Sequence, residues 1–279
     1  MYYVGAHVST SKGYLAAAER VHAMGGNAFQ FFPKNPRTLI PKKSINEQDA
    51  KACAAYCKEN EIVSITHAPY PLNLAVGPEN SAIMLESMLN ALMISDACGA
   101  MGLVVHFGNY HGEDRLQGYH NRIQLLNQAT SLWSGNTLIL IENQAGEGHG
   151  EGSTFEEMTT IRNLCQEPEK IGFCLDTCHA YASGLWKGFD WEEVALKGQA
   201  VGYFDHLKAV HLNESKFAAG EKRDRHAPIG YGKIGETHLK SMLQSPFLQN
   251  IPIVLETPAT DYATHPQQLN DVKRLLLES

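Results

Sequence analysis

Six apolar runs in this chain each end at a residue type that commonly binds metal ions. These six residues are His67, His106, Glu142, Asp176, His211 and Glu256. A single His or Glu after an apolar run is usually a surface or hinge residue. Six in succession, all of them His, Asp or Glu, indicate one shared polar site. Imidazole and carboxylate groups together suit zinc and related divalent cations.

Two local motifs add further candidate ligands. In Asp176-Thr-Cys-His179, an Asp and a His lie three residues apart at the turn that follows a strand, so they can bind two different metal ions. In Asp224-Arg-His226, residues two apart in an extended segment point the same way and can reach one cation. The nine candidates are too many for one tetrahedral zinc, and they suit about three metals that share one carboxylate.

The cysteines leave an alternative metal site open. Cys174 and Cys178 flank Asp176, so zinc bound through thiolates is conceivable there, although the His and carboxylate set is better supported. Cys53 and Cys57 lie one helical turn apart and are expected to be buried as small apolar residues. Among the other histidines, His7 is expected to line the site without binding metal. Surface positions in helices are expected for His22, His120 and His238.

Apolar strand-like runs alternate with helix-like stretches along the chain. The Val-, Ile- and Leu-rich patterns predict strands at 4–9, 28–32, 62–67, 103–107, 137–142, 171–176, 207–212 and 251–256. Helices are predicted near 13–24, 50–58, 81–98, 116–133, 154–165 and 266–277. Thr154 and Glu157 are a candidate capping box. Eight strands that alternate with helices predict an α/β fold, a TIM (β/α)8 barrel forming one catalytic domain over 1–279. Its metal site would lie at the C-terminal face of the strands.

Charge and hydropathy narrow the function classes. The net charge is −7, whereas a nucleic-acid partner usually requires a basic face. Basic residues are nevertheless clustered, at Lys34, Arg37, Lys42 and Lys43, and at Lys216, Lys222, Arg223 and Arg225. No apolar run approaches the ~20 residues needed to cross a bilayer, and no signal peptide is evident. The expected location is the cytoplasm, without a membrane partner.

The motifs together resemble one family, the endonuclease IV family of metal-dependent apurinic/apyrimidinic endonucleases of DNA base-excision repair. The resemblance covers the whole chain. Its most specific segments are 176–184 (DTCHAYASG), 211–216 (HLNESK), 224–226 (DRH) with Ile229, Gly230 and Gly232, 141–143 (IEN) with Ala145 and Gly146, and 256–258 (ETP).

The resemblance implies a trinuclear site, usually of zinc, with Mn²⁺ or Fe²⁺ as possible substitutes. One metal would be held by His67, His106 and Glu142. Glu142 would bridge to a second metal, completed by Asp176, His211 and Glu256. The third metal would be held by His179, Asp224 and His226. Glu142 and Glu256 are the expected catalytic carboxylates.

The implied reaction is hydrolysis of the phosphodiester 5′ to an abasic site in double-stranded DNA, leaving a 3′-hydroxyl and a 5′-deoxyribose phosphate. Metal-bound water, whose pKa can fall to ~7, would supply hydroxide as the nucleophile. An abasic nucleotide has no base to unstack, so ejecting it from the helix would cost little. The family further implies a monomer.

DNA recognition is expected from one loop and one tyrosine. Residues 32–37 (FPKNPR) resemble the family's recognition loop, with Arg37 as the inserted side chain and Lys34 and Asn35 beside it. Tyr70, three residues after His67, matches another minor-groove contact.

The chain departs from the family pattern at Pro71, Asn109 and Gln144, and these departures bear on lesion recognition more than on metal chemistry. Two other functions are compatible with a barrel of this kind. One is a sugar isomerase or epimerase, which needs only one or two metals and has no evident use for Asp224, His226 or Arg37. The other is a lesion-binding protein without turnover, which has no need of a complete ligand set.

Overall fold

The computed structural model describes residues 2–148 and 150–277, and its centre is a closed barrel of eight parallel strands. The barrel strands are β1 (Val4–His7), β2 (Ala28–Phe31), β3 (Val63–His67), β4 (Gly102–His106), β5 (Leu138–Glu142), β6 (Ile171–Asp176), β7 (Leu207–His211) and β10 (Ile253–Leu255). Neighbouring strands around the ring follow the order β1-β10-β7-β6-β5-β4-β3-β2. The predicted barrel is confirmed, with strand ends that differ by a residue or two.

Helices surround the barrel and connect its strands. They are α1 (Tyr14–Ala23), α2 (Glu47–Glu59), α3 (Pro78–Ala97), α4 (Arg115–Leu132), α5 (Phe155–Leu164), α6 (Thr177–Ser183), α7 (Trp191–Ala200), α8 (Glu236–Leu243) and α9 (His265–Leu277). The sequence patterns did not predict α6, α7 or α8. They also missed a short antiparallel hairpin of β8 (Glu214–Ser215) and β9 (His226–Ala227).

The capping box predicted at the start of α5 is only half formed. The Thr154 hydroxyl accepts the backbone N–H of Glu157, as expected. The Glu157 carboxylate does not return to Thr154, because it accepts the N–H groups of Gly152 and Ser153 instead. The cap therefore also fastens the loop that precedes the helix.

A layer of small and apolar side chains fills the inside of the barrel. It takes one buried residue from each of seven strands: Ala28, Ile65, Val104, Leu140, Cys174, Ala209 and Val254. β1 contributes Gly5, which pairs with Ala28 and Val254. A Cβ atom on Gly5 would lie 1.4 Å from the Ala28 carbonyl oxygen, so only glycine fits. Since side chains alternate along a strand, residues two positions after this layer also point inward.

The outer faces of the strands pack against the helices. Phe29 and Phe31 of β2, for example, lie in one buried cluster with Tyr14 and Ala17 of α1 and Cys53 of α2. Burial of Cys53 and Cys57 agrees with the prediction.

Over the described ranges, every helix is too short or too polar to cross a membrane. The cytoplasmic location stays a prediction.

Candidate metal centre

The residues at the C-terminal end of the barrel interior are all polar. Each lies two positions after a residue of the inner layer, and the set is His7, Gln30, His67, His106, Glu142, Asp176, His211 and Glu256. Six of these are the residues predicted from the ends of the apolar runs. Strand alternation therefore explains why they converge on one site.

His67, His106 and Glu142 form the first group. Oε2 of Glu142 lies 3.5 Å from Nε2 of His67 and 3.4 Å from Nε2 of His106. One donor atom from each of the three residues lies within 4.8 Å of the other two. Two imidazoles and a carboxylate at this spacing can hold one divalent cation.

Glu142 also belongs to a second group, with Asp176, His211 and Glu256. Nδ1 of His211 lies 2.8 Å from Oε1 of Glu142 and 3.2 Å from Oε2 of Glu256. The two oxygens of Glu142 thus face different groups. This is the arrangement of a carboxylate that can bridge two cations.

The third group is brought together by α6 and the segment before β9. Asp176 caps α6 by accepting the backbone N–H of His179 at 2.7 Å. Nδ1 of His179 hydrogen bonds the Asn143 carbonyl, so its Nε2 faces Asp224, 3.2 Å from Oδ2. Nε2 of His226 lies 3.2 Å from the other oxygen of Asp224. Asp176 joins His179 and His226 within ligand distance, which places this group beside the second.

The structure offers one thiol near the third group. The Cys178 sulfur lies within 4.8 Å of ligand atoms of Asp224 and His226. Burial, and the carboxylate of Asp176 next, raise the pKa of Cys178, which disfavours the thiolate. Burial also raises the pKa of Cys174, to about 12. The His and carboxylate donors therefore remain the better set for a cation.

Burial and neighbouring charges shift the pKa values of several side chains in this cluster. Burial opposes ionisation of Glu142, yet His211, His67 and His106 hold the pKa of its carboxyl well below the usual range. Glu256 behaves alike: burial opposes its ionisation, but His211, His67 and His226 together lower the pKa of its carboxyl to about 2. For His106, burial dominates and lowers the pKa to about 4, so this imidazole is neutral and free to bind a cation.

Two candidate ligand atoms make no hydrogen bond within the part of the protein that the structure describes, although each lies 3.2–3.5 Å from an ionisable side chain. Within the described ranges, Oε2 of Glu142 and Nε2 of His226 are buried without a hydrogen-bond partner. A buried polar atom without a partner is unfavourable unless something else satisfies it. Both atoms belong to the groups described above, so their lack of partners agrees with cation binding.

Three amide side chains that were not among the predicted site residues hold these groups in place. Asn213 donates to Oδ2 of Asp176 at 2.6 Å and accepts the backbone N–H of Glu256. Asn143 brackets the backbone of Asp176 with two hydrogen bonds. Gln30 contacts His211 and Glu256. The inward register of β2 was the signal for Gln30, since it lies two residues after Ala28.

A cavity of about 630 Å³ opens over the three groups of candidate ligands, and basic and aromatic side chains also line it. Its lining includes Tyr70, Lys216, Arg225 and His265 beside the candidate ligands. Tyr70 is 59% exposed, and its backbone N–H donates to the Pro36 carbonyl, which joins it to the predicted recognition loop. Arg37 and Asn35 are also exposed on that loop.

Lys34, one of the predicted DNA contacts, points into the protein in this structure. Its side chain is only 6% exposed, and the ammonium group donates to the Ser87 hydroxyl at 2.7 Å and to the Leu39 carbonyl at 3.1 Å. Burial lowers the pKa of Lys34 to about 8. The loop folds back over α3, so this lysine points into the protein while its neighbours face outward.

The remaining histidines mostly lie where they were expected. His22 and His120 are exposed on helices, whereas His238 is half-buried and hydrogen bonds the Ile234 carbonyl. His7 lines the cavity.

Comparison with known proteins places this barrel in a family. Residues 18–277 match the family model of the xylose isomerase-like TIM barrel. A probable endonuclease 4 from Symbiobacterium thermophilum is 39% identical over 274 residues, covering 98% of this chain and 99% of that protein. Endonuclease IV from Thermus thermophilus superposes with a TM-score of 0.86 at 30% identity, covering 99% of this chain and 100% of that one.

More distant barrels share only the fold. A D-tagatose 3-epimerase-like protein superposes with a TM-score of 0.69 at 18% identity, over 98% of this chain and 95% of that one. The identity to endonuclease 4, 39% over almost the full length of both chains, is about twice the 18% identity to this epimerase-like protein. By that measure, the chain belongs to the endonuclease IV family of xylose isomerase-like TIM barrels.

Proposed function

We propose that this protein is a DNA-repair endonuclease that hydrolyses the phosphodiester 5′ to abasic sites in double-stranded DNA. The products would be a 3′-hydroxyl and a 5′-deoxyribose phosphate. The observation that carries the proposal is that three groups of candidate metal ligands adjoin one another under one open cavity. Glu142 and Asp176 join these groups. The full-length relatives are named as endonucleases, which supports an endonuclease activity for this chain.

The ligand assignment divides the donor groups among about three divalent cations, with zinc as the expected ion and Mn²⁺ or Fe²⁺ as substitutes. The first would be held by His67, His106 and Glu142. The second would be held by Glu142, Asp176, His211 and Glu256. The third would be held by His179, Asp224 and His226. When bound, such ions supply a nucleophile from water at neutral pH and neutralise charge on the phosphate.

The chain's own contribution is to fix these donors and leave room for the phosphate. Glu142 is almost completely buried, so it can set the spacing of two cations without competing for the substrate. Glu256 is the more accessible carboxylate, with 18% of its side chain exposed at the cavity. We assign these two as the catalytic carboxylates, Glu142 inside the cluster and Glu256 at the surface that meets the phosphate.

Recognition of the lesion is assigned to the exposed side chains beside the cavity. We assign Arg37 and Tyr70, which are both exposed, to enter the helix at the abasic site, and Asn35 accepts the backbone N–H of Arg37 at 3.0 Å. Insertion at an abasic site unstacks no base on the damaged strand, which favours the lesion over intact duplex. The protein is expected to act as a monomer.

A sugar epimerase is the alternative that the fold admits, and two observations disfavour it. The third donor group, around Asp224 and His226, extends the site beyond the one or two metals that epimerisation needs. The epimerase-like barrels resemble this chain only at the level of the fold.

The direct test is incubation of the metal-loaded protein with a duplex carrying one tetrahydrofuran analogue of an abasic site. We expect a single cut on the 5′ side, with a 3′-hydroxyl that a polymerase can extend. Intact duplex of the same sequence is the control. Absence of cleavage with any of zinc, manganese or iron, or an equal cut of intact duplex, would reject the proposal.

A further inference from the structure

We infer that Gln30 is a positioning residue that selects which ring nitrogen of His211 faces the metals and which nitrogen of His7 faces the substrate. The inference rests on the metal site of the proposed function. Gln30 lies in β2, is fully buried, and was not among the predicted site residues. It contacts three members of the inward polar layer, His7, His211 and Glu256.

The orientation of the Gln30 amide is settled by Glu256. Nε2 of Gln30 lies 2.5 Å from Oε1 of Glu256. An ionised carboxylate can only accept hydrogen bonds, so the amide nitrogen must be the atom that faces it. The amide oxygen is thereby directed to the other side of the group, towards His211.

That oxygen determines the hydrogen on His211. Oε1 of Gln30 lies 2.7 Å from Nε2 of His211, and a carbonyl oxygen can only accept. Nε2 of His211 must therefore carry a hydrogen. Nδ1 faces Glu142 and Glu256, and in the metal-free protein it donates its hydrogen to Oε1 of Glu142 at 2.8 Å. Because Gln30 keeps the hydrogen on Nε2, the hydrogen on Nδ1 is the one that a bound cation would replace. Such hydrogen bonds from a ligand's second nitrogen commonly orient metal-binding histidines.

The same amide determines the state of His7. The second hydrogen on Nε2 of Gln30 points to Nδ1 of His7 at 3.0 Å, so Nδ1 accepts. A neutral His7 then carries its hydrogen on Nε2. Because His7 lines the cavity above the metal groups, Nε2–H is the donor it can offer to a phosphate or sugar oxygen.

The surroundings of Gln30 make this arrangement rigid. Its neighbours Phe29 and Phe31 are fully buried on the opposite face of β2, in the cluster with α1 and α2. β2 itself is paired with β1 and β3 on both sides. A buried amide on a strand fixed in this way loses little freedom when the metals bind.

The test compares Gln30→Met with Gln117→Met. Methionine matches the length of glutamine and removes both hydrogen-bonding functions at Gln30. Gln117 is a matched control, because its amide donates to Asn121 on α4 and does not line the cavity over the candidate ligands. We expect Gln30→Met to weaken zinc binding by roughly 10–100-fold in competition with a chelator, and Gln117→Met to leave it unchanged.

Nitrogen-15 NMR of the imidazole side chains supplies a second readout on the zinc-loaded proteins. In the unsubstituted protein, His7 and His211 should both carry hydrogen on Nε2. In Gln30→Met, the His7 signal should shift towards a mixture of tautomers. Gln30→Glu keeps an acceptor for His211 but removes the donor to Glu256, so the His211 state should persist while zinc binding weakens.

The outcomes separate this inference from the proposed function. Zinc affinity and imidazole spectra that are unchanged in Gln30→Met would overturn the inference even if abasic DNA is cleaved. Failure to cleave abasic DNA would reject the proposed function and leave the zinc and NMR comparison readable. If Gln30→Met does not fold by circular dichroism, Gln30→Glu decides, and unchanged zinc affinity in that variant would also overturn the inference.

Discussion

The two oxygens of a single side chain, Glu142, connect the first and second donor groups. Oε2 faces His67 and His106, and Oε1 faces His211. An amide in its place has only one oxygen and adds donors, so it can serve only one side. At the scale of the residue, this is the substitution to which the site should be most sensitive.

We therefore expect Glu142→Gln to lower the rate of abasic-site cleavage by at least ~100-fold and to reduce the zinc content measured by elemental analysis. Glu193→Gln, on the exposed face of α7, serves as the control and should retain both. A Glu142→Gln protein with the zinc content of the unsubstituted protein would contradict the bridging assignment.

The charge on His179 predicts how the metal-free protein responds to pH. Burial lowers the pKa of His179, but Asp176 and Asp224 outweigh it and raise the pKa well above its usual value. A histidine in the unfolded chain titrates near ~6.5. The stabilisation from charged His179 is therefore complete below ~6.5 and is lost as the pH rises through the raised folded value.

Chelator-treated protein should accordingly melt at a lower temperature at alkaline pH than at pH ~6, measured by circular dichroism. Zinc-loaded protein should show a smaller loss, because cations bind neutral imidazole and compete with protons less as the pH rises. His179→Asn should reduce this trend in the metal-free protein without removing it, because the pKa of His211 is also raised well above its usual value against the effect of burial. A metal-free melting temperature that is constant or rises over this range would contradict the assignment.

At the scale of the element, the loop after β2 has an outer and an inner side. Arg37 and Asn35 are exposed, whereas Lys34 donates inward to Ser87 on α3 and to two carbonyls of its own loop. Phe32 at the loop's start lies 5.5 Å from the ring of His67 and 5.2 Å from that of Tyr70. These contacts fix the conformation of the loop beside the candidate metal ligands before DNA binds. The loop therefore loses less conformational entropy on binding.

Arg37→Ala tests the outer side. Removing a central inserted arginine should weaken binding to abasic duplex by about 2 kcal/mol, or ~30-fold, by fluorescence anisotropy. Zinc content should not change, since Arg37 lies outside the donor groups. Loss of zinc with unaltered affinity for the lesion would show that the loop has been assigned the wrong role.

Lys34→Met tests the inner side, with Lys43→Met as a matched control from the exposed part of the same basic cluster. When a lysine that contacts phosphate is removed, the slope of log affinity against log salt concentration becomes shallower by about one unit. Lys34→Met should leave the slope unchanged, weaken affinity, and speed amide hydrogen exchange over 35–41. A reduced slope with unaltered exchange would restore Lys34 as a direct DNA contact.

At the scale of the molecule, an acidic protein must present a locally positive face to DNA. The net charge is −7, and four carboxylates lie in the cluster itself: Glu142, Asp176, Asp224 and Glu256. Lys216 and Arg225 line the cavity, and charged His179 and His211 offset part of the carboxylate charge in the metal-free protein, so the site is then far from strongly positive. Bound divalent cations would make the same site positive.

Stripping the metals should therefore abolish affinity for abasic duplex as well as cleavage. Circular dichroism should show that the barrel is still folded, and raised salt should weaken the metal-loaded complex. Folded, metal-free protein that binds the lesion as tightly as the loaded form would show that the basic loops alone carry the affinity.

The barrel and most of the candidate site could be predicted because both follow from local pattern. Short apolar runs specify strands, and alternation along each strand places the residue at its end on the same side as the residue two before it. Once the strands are parallel, the ends of all of them meet at one face. His67, His106, Glu142, Asp176, His211 and Glu256 therefore converge without any knowledge of long-range contacts.

Tertiary structure decided three features: the direction of the Lys34 side chain, the role of Gln30, and the approach of Asp224 and His226 to His179. Lys34 turns inward because Ser87, on a helix far along the chain, offers its ammonium an acceptor. Gln30 gains its role from His211 and Glu256, which are 181 and 226 residues away. A short-range pattern specifies which residues share a face, but hydrogen-bond partners depend on where distant strands and loops come to lie.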